Sequence, residues 1–343
     1  MKDYSIIHKN LDKYFIIYSD CFLARGLVKS SILDITNQQM YFFDTQFYDI
    51  LSTISLYRIR EVLLMCEDEV TVESFQELIM FLVSKDLGTF VEDVSLFPPI
   101  NVEWDCYSII SNAIIDVKNK IHNFEKIFIE LNDLFCEKIQ IRFYSVVGTD
   151  IFHKIIHHAI DKRFSHIEFV IKEDVQENRL EDLIAIVKQY PFIRFTIYNS
   201  FKDLTTLKFN NISFIKRDLD FCKDCGVISP EYFIIPTMDS YMENRLYNGC
   251  LNRKVSIDYD GNIKNCPSFK HSYGNIENVR IKDVIMTKQF RELWTINKEK
   301  IEVCKDCELR PVCTDCRAHL SNPNNIYSKP QKCTYDPLTS NWK

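Results

Sequence analysis

Short apolar runs and stretches of helical rhythm alternate along most of this chain, and they sort it into three zones. In the first, residues 1–97, the run 14–18 reads as a strand, and 31–35 with 40–43 reads as a hairpin turning at Asn37. Three helices follow from the spacing of Phe47, Ile50 and Leu51, of Ile59, Val62, Leu63 and Cys66, and of Phe75, Leu78, Ile79 and Leu82. Thr45 and Thr71 are the expected N-caps of the first and third. Gly88 is the expected left-handed end of the last helix, 89–91 adds a short wing strand, and Phe97-Pro98-Pro99 breaks the pattern. In the second zone, 98–220, apolar strands at 112–117, 139–144, 167–171, 193–198 and 213–216 are interleaved with helical stretches at 124–135, after Gly148-Thr149-Asp150, and at 180–189. That alternation predicts right-handed βαβ units and a parallel sheet. The visible strands are too few for a closed eight-stranded barrel, so an open, partial β/α barrel is expected. In the third zone, 221–343, strands 255–258 and 262–264 flank Asp260-Gly261, read as a two-residue turn with positive φ at both positions. Residues 279–294 read as one helix. The fold class expected is therefore α/β, with a winged-helix-like first zone and a cysteine-rich third.

Composition changes this picture in two ways. The chain has 343 residues, is 46% hydrophobic and carries a formal charge of −6. That is ample for two or three packed domains, and gives no sign of a nucleic acid or anionic membrane partner. Only 7 glycines are present, which argues against a Gly-rich nucleotide loop. The first residues show no signal-peptide pattern, and no stretch approaches the roughly 18 apolar residues of a membrane span. A cytoplasmic location is the expectation. In that compartment thiols stay reduced, so clustered cysteines point to metal or redox chemistry rather than disulfides.

Nine of the 13 cysteines lie from position 222 onward. They are Cys222, Cys225, Cys250, Cys266, Cys304, Cys307, Cys313, Cys316 and Cys333. Thiolates two residues apart chelate a common centre readily, because the turn between them points both sulfurs inward and aims backbone N–H groups at them. Iron–sulfur clusters and structural zinc both suit such spacing. The remaining Cys21, Cys66, Cys106 and Cys136 are isolated and read as small core residues.

The order Cys250-x10-Gly261-x4-Cys266, then Cys304-x2-Cys307-x5-Cys313-x2-Cys316, then Cys333 resembles the SPASM domain of radical SAM peptide-modifying enzymes. One departure is that Cys313 and Cys316 are separated by two residues where the usual pattern has three. The runs 301–310 and 313–318, with Cys225-Gly226 and 265–268, are similar to SPASM-domain maturases of the grasp-with-spasm peptide systems. The resemblance implies two auxiliary [4Fe–4S] clusters. One would be held by Cys304, Cys307, Cys313 and Cys333. The other would be held by Cys250, Cys266 and Cys316, with Cys222 or Cys225 as the local candidate for its fourth ligand. It also implies a precursor peptide and an ATP-grasp ligase as partners. The hairpin, helices and wing of residues 1–97 resemble the PqqD-like winged-helix module, which holds a leader peptide as an added strand; a structural cap or dimerisation domain is the alternative.

Radical SAM enzymes need Cys-x3-Cys-x2-Cys after the first barrel strand, and the segment after Val117, Lys118-Asn119-Lys120-Ile121-His122, has no cysteine. No S-adenosylmethionine and no self-contained radical chemistry are therefore expected, and whether the chain is an enzyme stays open. Two readings remain, a peptide-maturation factor and a non-catalytic peptide-binding scaffold stapled by metal. His153 and His157 read as a solvated helix face, and Asp260 as a turn residue beside a solvent-facing Asp258. His271 and His319 are alternative ligands in the cysteine-rich zone. Arg317 is expected in a surface salt bridge or in hydrogen bonds within the knot.

Overall fold

The computed structural model describes residues 4–174, 180–200, 211–221 and 224–343. The first zone contains helix α1 (Ser5–His8), strands β1 (Tyr14–Ile17), β2 (Cys21–Ala24), β3 (Lys29–Asp34) and β4 (Gln39–Asp44), helices α2 (Tyr48–Thr53), α3 (Ile59–Leu64) and α4 (Glu69–Ser84), and strand β5 (Gly88–Val91). The expected hairpin is β3–β4, with Asp34 opposite Gln39. Its turn is tied by the Asp34 carboxylate, which accepts from Asn37 N and Nδ2, each at 2.9 Å. β2 extends the hairpin to three antiparallel strands in the order β2-β3-β4. The expected wing, β5, pairs instead with β1 in a separate ribbon.

The caps fall on aspartates rather than threonines. Asp44 accepts from Gln46 N in the short 3-10 turn before α2, and Asp68 accepts from Thr71 N at the start of α4. A carboxylate there also meets the positive end of the helix dipole. The left-handed end of α4 is Asp86 (φ 55), two residues before Gly88. Leu87 N donates to Leu82 O at 2.9 Å and Asp86 N to Val83 O at 3.1 Å, the paired bonds of a Schellman motif.

The second zone follows the expected alternation. It runs β6 (Asn112–Val117), α5 (Phe124–Asp133), β7 (Lys138–Phe143), α6 (Thr149–His157), β8 (His166–Lys172), α7 (Leu180–Gln189), β9 (Ile193–Tyr198) and β10 (Ile212–Ile215). The third zone begins with α8 (Met238–Leu246), β11 (Lys254–Ile257) and β12 (Ile263–Lys264). All seven strands from β6 to β12 form one sheet, ordered β10-β9-β8-β7-β6-β11-β12. Every pairing is parallel except β11–β12. The third zone thus continues the sheet of the second through β11, whose Lys254 lies opposite Asn112. Helices α5, α6 and α7 bury their apolar stripes against this sheet, around Phe143, Phe152, Phe169 and Phe195. Phe152 stands 5.3 Å from both Phe169 and Phe195 by ring centroids. Each such ring contributes about 1.5–3 kcal/mol by leaving water.

Three local expectations fail in the third zone. The hairpin turn is longer than two residues. Gly261 N donates to Asp258 O at 2.9 Å and Gly261 alone has positive φ, at 86°, so a type I turn ends in a glycine bulge. Asp258 does not face solvent. It is 7% exposed, pairs with Lys264 at 2.8 Å and accepts from the N–H groups of Asp260 and Asn262. The span 279–294 is not one helix but α9 (Ile281–Ile285), α10 (Lys288–Arg291) and a 3-10 turn. Thr287, whose hydroxyl caps α10 through Phe290 N, interrupts it. A final ribbon pairs β13 (Tyr335–Asp336) with β14 (Asn341–Trp342).

The first zone docks on the third. Leu33 and Ile35 pack with Tyr241 and Val312, and Phe22 stacks on Tyr241 at 4.1 Å. Ser31 Oγ donates to Glu308 O at 2.8 Å, beside Cys307. Among the described residues no helix is long and apolar enough to cross a membrane.

Candidate metal centre: eight thiols in two sets

The eight described thiols of the third zone sort into two sets of four. Cys266 lies in the electrostatic field of Cys250 and Cys225, and so does Cys316. Cys304 faces Cys313, Cys307 and Cys333, while Cys307 and Cys313 each face Cys333. The first set is therefore Cys225, Cys250, Cys266 and Cys316, and the second Cys304, Cys307, Cys313 and Cys333. Cys222, the other candidate for the fourth position, lies outside the described residues. No three Cys, His, Asp or Glu side chains among the described residues are close enough together to hold one metal ion.

Backbone turns aim donors at the sulfurs, most of them from two residues on. Ser268 N points at Cys266, Leu309 N at Cys307, Asp315 N at Cys313, and both Ala318 N and His319 N at Cys316. The offset of two residues is that of a turn closing on a thiolate, and N–H donors at sulfur are what an anionic cluster needs. Burial acts the other way. It pushes Cys266 up to about 11 and Cys307 up to about 12, and raises Cys304, Cys313 and Cys316 as well. A cationic centre inverts that balance, since a coordinating thiol is deprotonated outright.

The short Cys313–Cys316 spacing is accommodated by Asp315, whose φ of 63° is left-handed. The turn sends Cys313 to the second set and Cys316 to the first. Cys225 reaches the first set through Gly226, whose φ is +77° and whose added Cβ would lie 2.9 Å from Cys316 Sγ. Only glycine fits that approach. Three residues on, Ile228 bridges Cys333, so the segment from Cys225 to Ile228 touches both sets.

Several residues that the spacing argument missed hold these loops. Asn248 Oδ1 accepts from Cys250 N at 3.1 Å and Leu251 N at 2.9 Å, while its Nδ2 donates to Asp315 at 2.7 Å. An Asn two residues before a cysteine is an Asx-turn signal, and it was available in the sequence. Arg317 is not on the surface. It is 1% exposed, and forks onto Asp315 at 2.8 and 2.5 Å through Nε and Nη2. Its Nη1 donates to Ile326 O and Ser328 O. Glu308 is fully buried next to Cys307 and accepts from the Tyr335 hydroxyl. Lys254 Nζ donates to Cys250 Sγ at 3.5 Å.

The isolated cysteines divide. Cys21 and Cys136 are buried as expected, and Cys66 is half-buried. Cys106 is not a core residue, because Arg253 Nη1 donates to its sulfur at 2.8 Å. His153 and His157 are exposed on α6, and His271 is exposed. His319 packs beside Gly226 and Cys316.

At the carboxyl ends of β6 and β7, where parallel α/β sheets carry their sites, Asp116 and Arg142 form a buried fork with bonds of 2.6 and 2.8 Å. Tyr144 OH adds a third bond to Asp116 at 3.2 Å, and Arg142 stacks over Phe221 at 4.8 Å. Loop 118–122 and the β11–β12 turn enclose a cavity of about 220 Å³ lined by Lys118, Lys120, His122 and Tyr259.

Residues 250–308 match the SPASM family, described as an iron-sulfur cluster-binding domain. Among solved structures, the chain is similar to Streptococcus suis SuiB bound to S-adenosylmethionine, at 10% identity, covering 92% of this chain and 99% of that one, with a TM-score of 0.35. SuiB bound to its precursor peptide SuiA matches at 12% identity, over 89% and 96% of the two chains, with a TM-score of 0.30. A heterocyclase in complex with substrate and cofactor matches at 11% identity over 41% of this chain and 21% of that one, with a TM-score of 0.20. No curated protein sequence matches the chain.

Proposed function

We propose that this chain is a maturation factor for ribosomally made peptides. Its two thiolate sets each hold a [4Fe–4S] cluster, with Cys225 as the fourth ligand of the first. Its first zone binds the precursor leader, and it works with an ATP-grasp ligase. The reading rests above all on eight thiols gathered four and four in and around a segment that matches an iron–sulfur domain. Leader binding is supported by β4, an edge strand with no further strand paired to it among the described residues, which offers its N–H and C=O groups to an added strand. The sheet's contact with Glu308 and Val312 keeps that edge and the thiol sets in one body. The clusters would supply electron transfer. The chain's own residues position the peptide, exclude water and hold the thiolates in place.

Anaerobic purification with iron and sulfide quantified tests the centre. About eight irons per chain and a broad band near ~400 nm are expected, as thiolate-to-iron charge transfer gives. A colourless, zinc-loaded or metal-free protein sinks the reading. Capture of peptide and ligase at roughly micromolar concentration tests the partners.

A second reading, a non-catalytic peptide-binding scaffold with a structural metal domain, has one observation in its favour. The carboxyl end of β6 is closed by the Asp116–Arg142–Tyr144 network, and the loop 118–122 that follows holds no cysteine. Peptide modification that persists after cluster removal with the fold intact would decide for it.

A further inference from the structure

We infer that Lys254 is a positioning residue that raises the reduction potential of the cluster held by Cys225, Cys250, Cys266 and Cys316. The inference rests on the reading that these thiols hold a cluster. Lys254 opens β11, and the ladder to β6 fixes its backbone opposite Asn112. Its Nζ donates to Cys250 Sγ at 3.5 Å and lies in the field of Cys266 and Cys225. Cys250, Cys266 and Cys225 are the groups that act most strongly on its charge.

The second set sits in a different field. Lys298 acts on Cys313, but Asp315 acts on Cys304 and Glu308 on Cys307. Asp315 acts on Cys313 as well, against Lys298. A cluster with four thiolate ligands becomes more negative by one charge on reduction. A fixed positive charge in a buried site stabilises that added electron more than it stabilises the oxidised state. Net charge and hydrogen bonds to sulfur are the levers that set such potentials. Lys254 supplies both at one atom.

The test is a redox titration of the anaerobic, iron-loaded full chain followed by electron paramagnetic resonance. Lys254→Met, Lys254→Gln and Lys254→Arg are compared with the unaltered chain, and the signal lost in Cys250→Ser identifies the first set. Lys254→Met is expected to weaken electron binding at that cluster at least tenfold, which is 59 mV for a one-electron couple. The other cluster should stay put, and Lys254→Arg should keep the original value. Lys254→Gln serves if Lys254→Met fails to load iron. Equal potentials in the neutral variants and the unaltered chain overturn the inference, and so does a common shift of both clusters. Iron lost from both neutral variants but kept in Lys254→Arg also overturns it, by making the role structural. An iron-free unaltered chain overturns the cluster reading and this inference with it. An iron-loaded chain with unmoved potentials overturns this inference alone.

Discussion

Truncating Arg317 to alanine should damage this protein more than most single changes. The guanidinium is 1% exposed and the Asp315 side chain it grips is 2% exposed. Four bonds would be lost: two to Asp315, at 2.8 and 2.5 Å, and one each to Ile326 O, at 2.9 Å, and Ser328 O, at 2.8 Å. Arg317→Ala leaves a carboxylate buried with Asn248 as its remaining side-chain donor. Breaking a buried pair from one side costs about 3–5 kcal/mol. With an unfolding entropy of about 2.1 cal/mol/K per residue over 343 residues, that corresponds to a Tm about 4–7 °C lower in a single transition. Calorimetry or near-ultraviolet circular dichroism would record it. Because Asp315 lies between Cys313 and Cys316, iron content should fall in parallel. Neutralising both partners, as Arg317→Met with Asp315→Asn, should restore much of the loss, since the unpaired charge is the main cost. A Tm of Arg317→Ala within about 1 °C of the original would refute the reasoning, because no paired buried charge could then have been removed.

Other outcomes follow from the same geometry. Cys225→Ser should take iron from about eight to about four per chain, whereas Cys106→Ser, at the Arg253 contact, should leave it unchanged; equal effects would refute the division of thiols. Gly226→Ala should mimic Cys225→Ser in iron content, because its Cβ would meet Cys316 Sγ at 2.9 Å from a left-handed backbone. The Asp258 carboxyl is held below the usual carboxylate range, since donors from Lys264 and Asn262 outweigh the opposing effect of burial. Its stabilisation is therefore complete above the unfolded value of about 3.9 and lost as pH falls through the lower folded value. Unfolding curves of Asp258→Asn should accordingly depend less on pH below about 4, and superimposable pH profiles would count against the buried pair.

The elements written in local period were legible in the chain itself. β6 to β10 and α5 to α7 lie within a residue or two of their expected bounds, because each apolar stripe is a property of a few consecutive residues. The caps were misassigned for a related reason. Thr45 and Thr71 are good capping residues, yet Asp44 and Asp68 stand nearby, and their charge adds the dipole term. The resemblance of 250–308 to an iron-sulfur cluster-binding domain was also readable, since sulfur spacing within a turn is local. The sequence offered both Cys222 and Cys225 for the remaining place in the first set, and spacing could not choose between them. Cys225 and Cys316 come together through chain separated by 91 positions in the sequence, and only tertiary packing closes that distance.

Burial of charge was likewise decided in three dimensions. Arg317 and Asp258 look like surface residues in a polar stretch. One is enclosed by residues 326 and 328, the other by Lys264 across its hairpin. The sheet shows the same division. The alternation of strand and helix announced parallel strands, but not that β11 would add to the free edge beside β6. Spacing and period act over a turn or a strand and are written in neighbouring residues. Which edge is covered, which charge is enclosed and which sulfurs meet depend on long-range closure, where many weak contacts choose together.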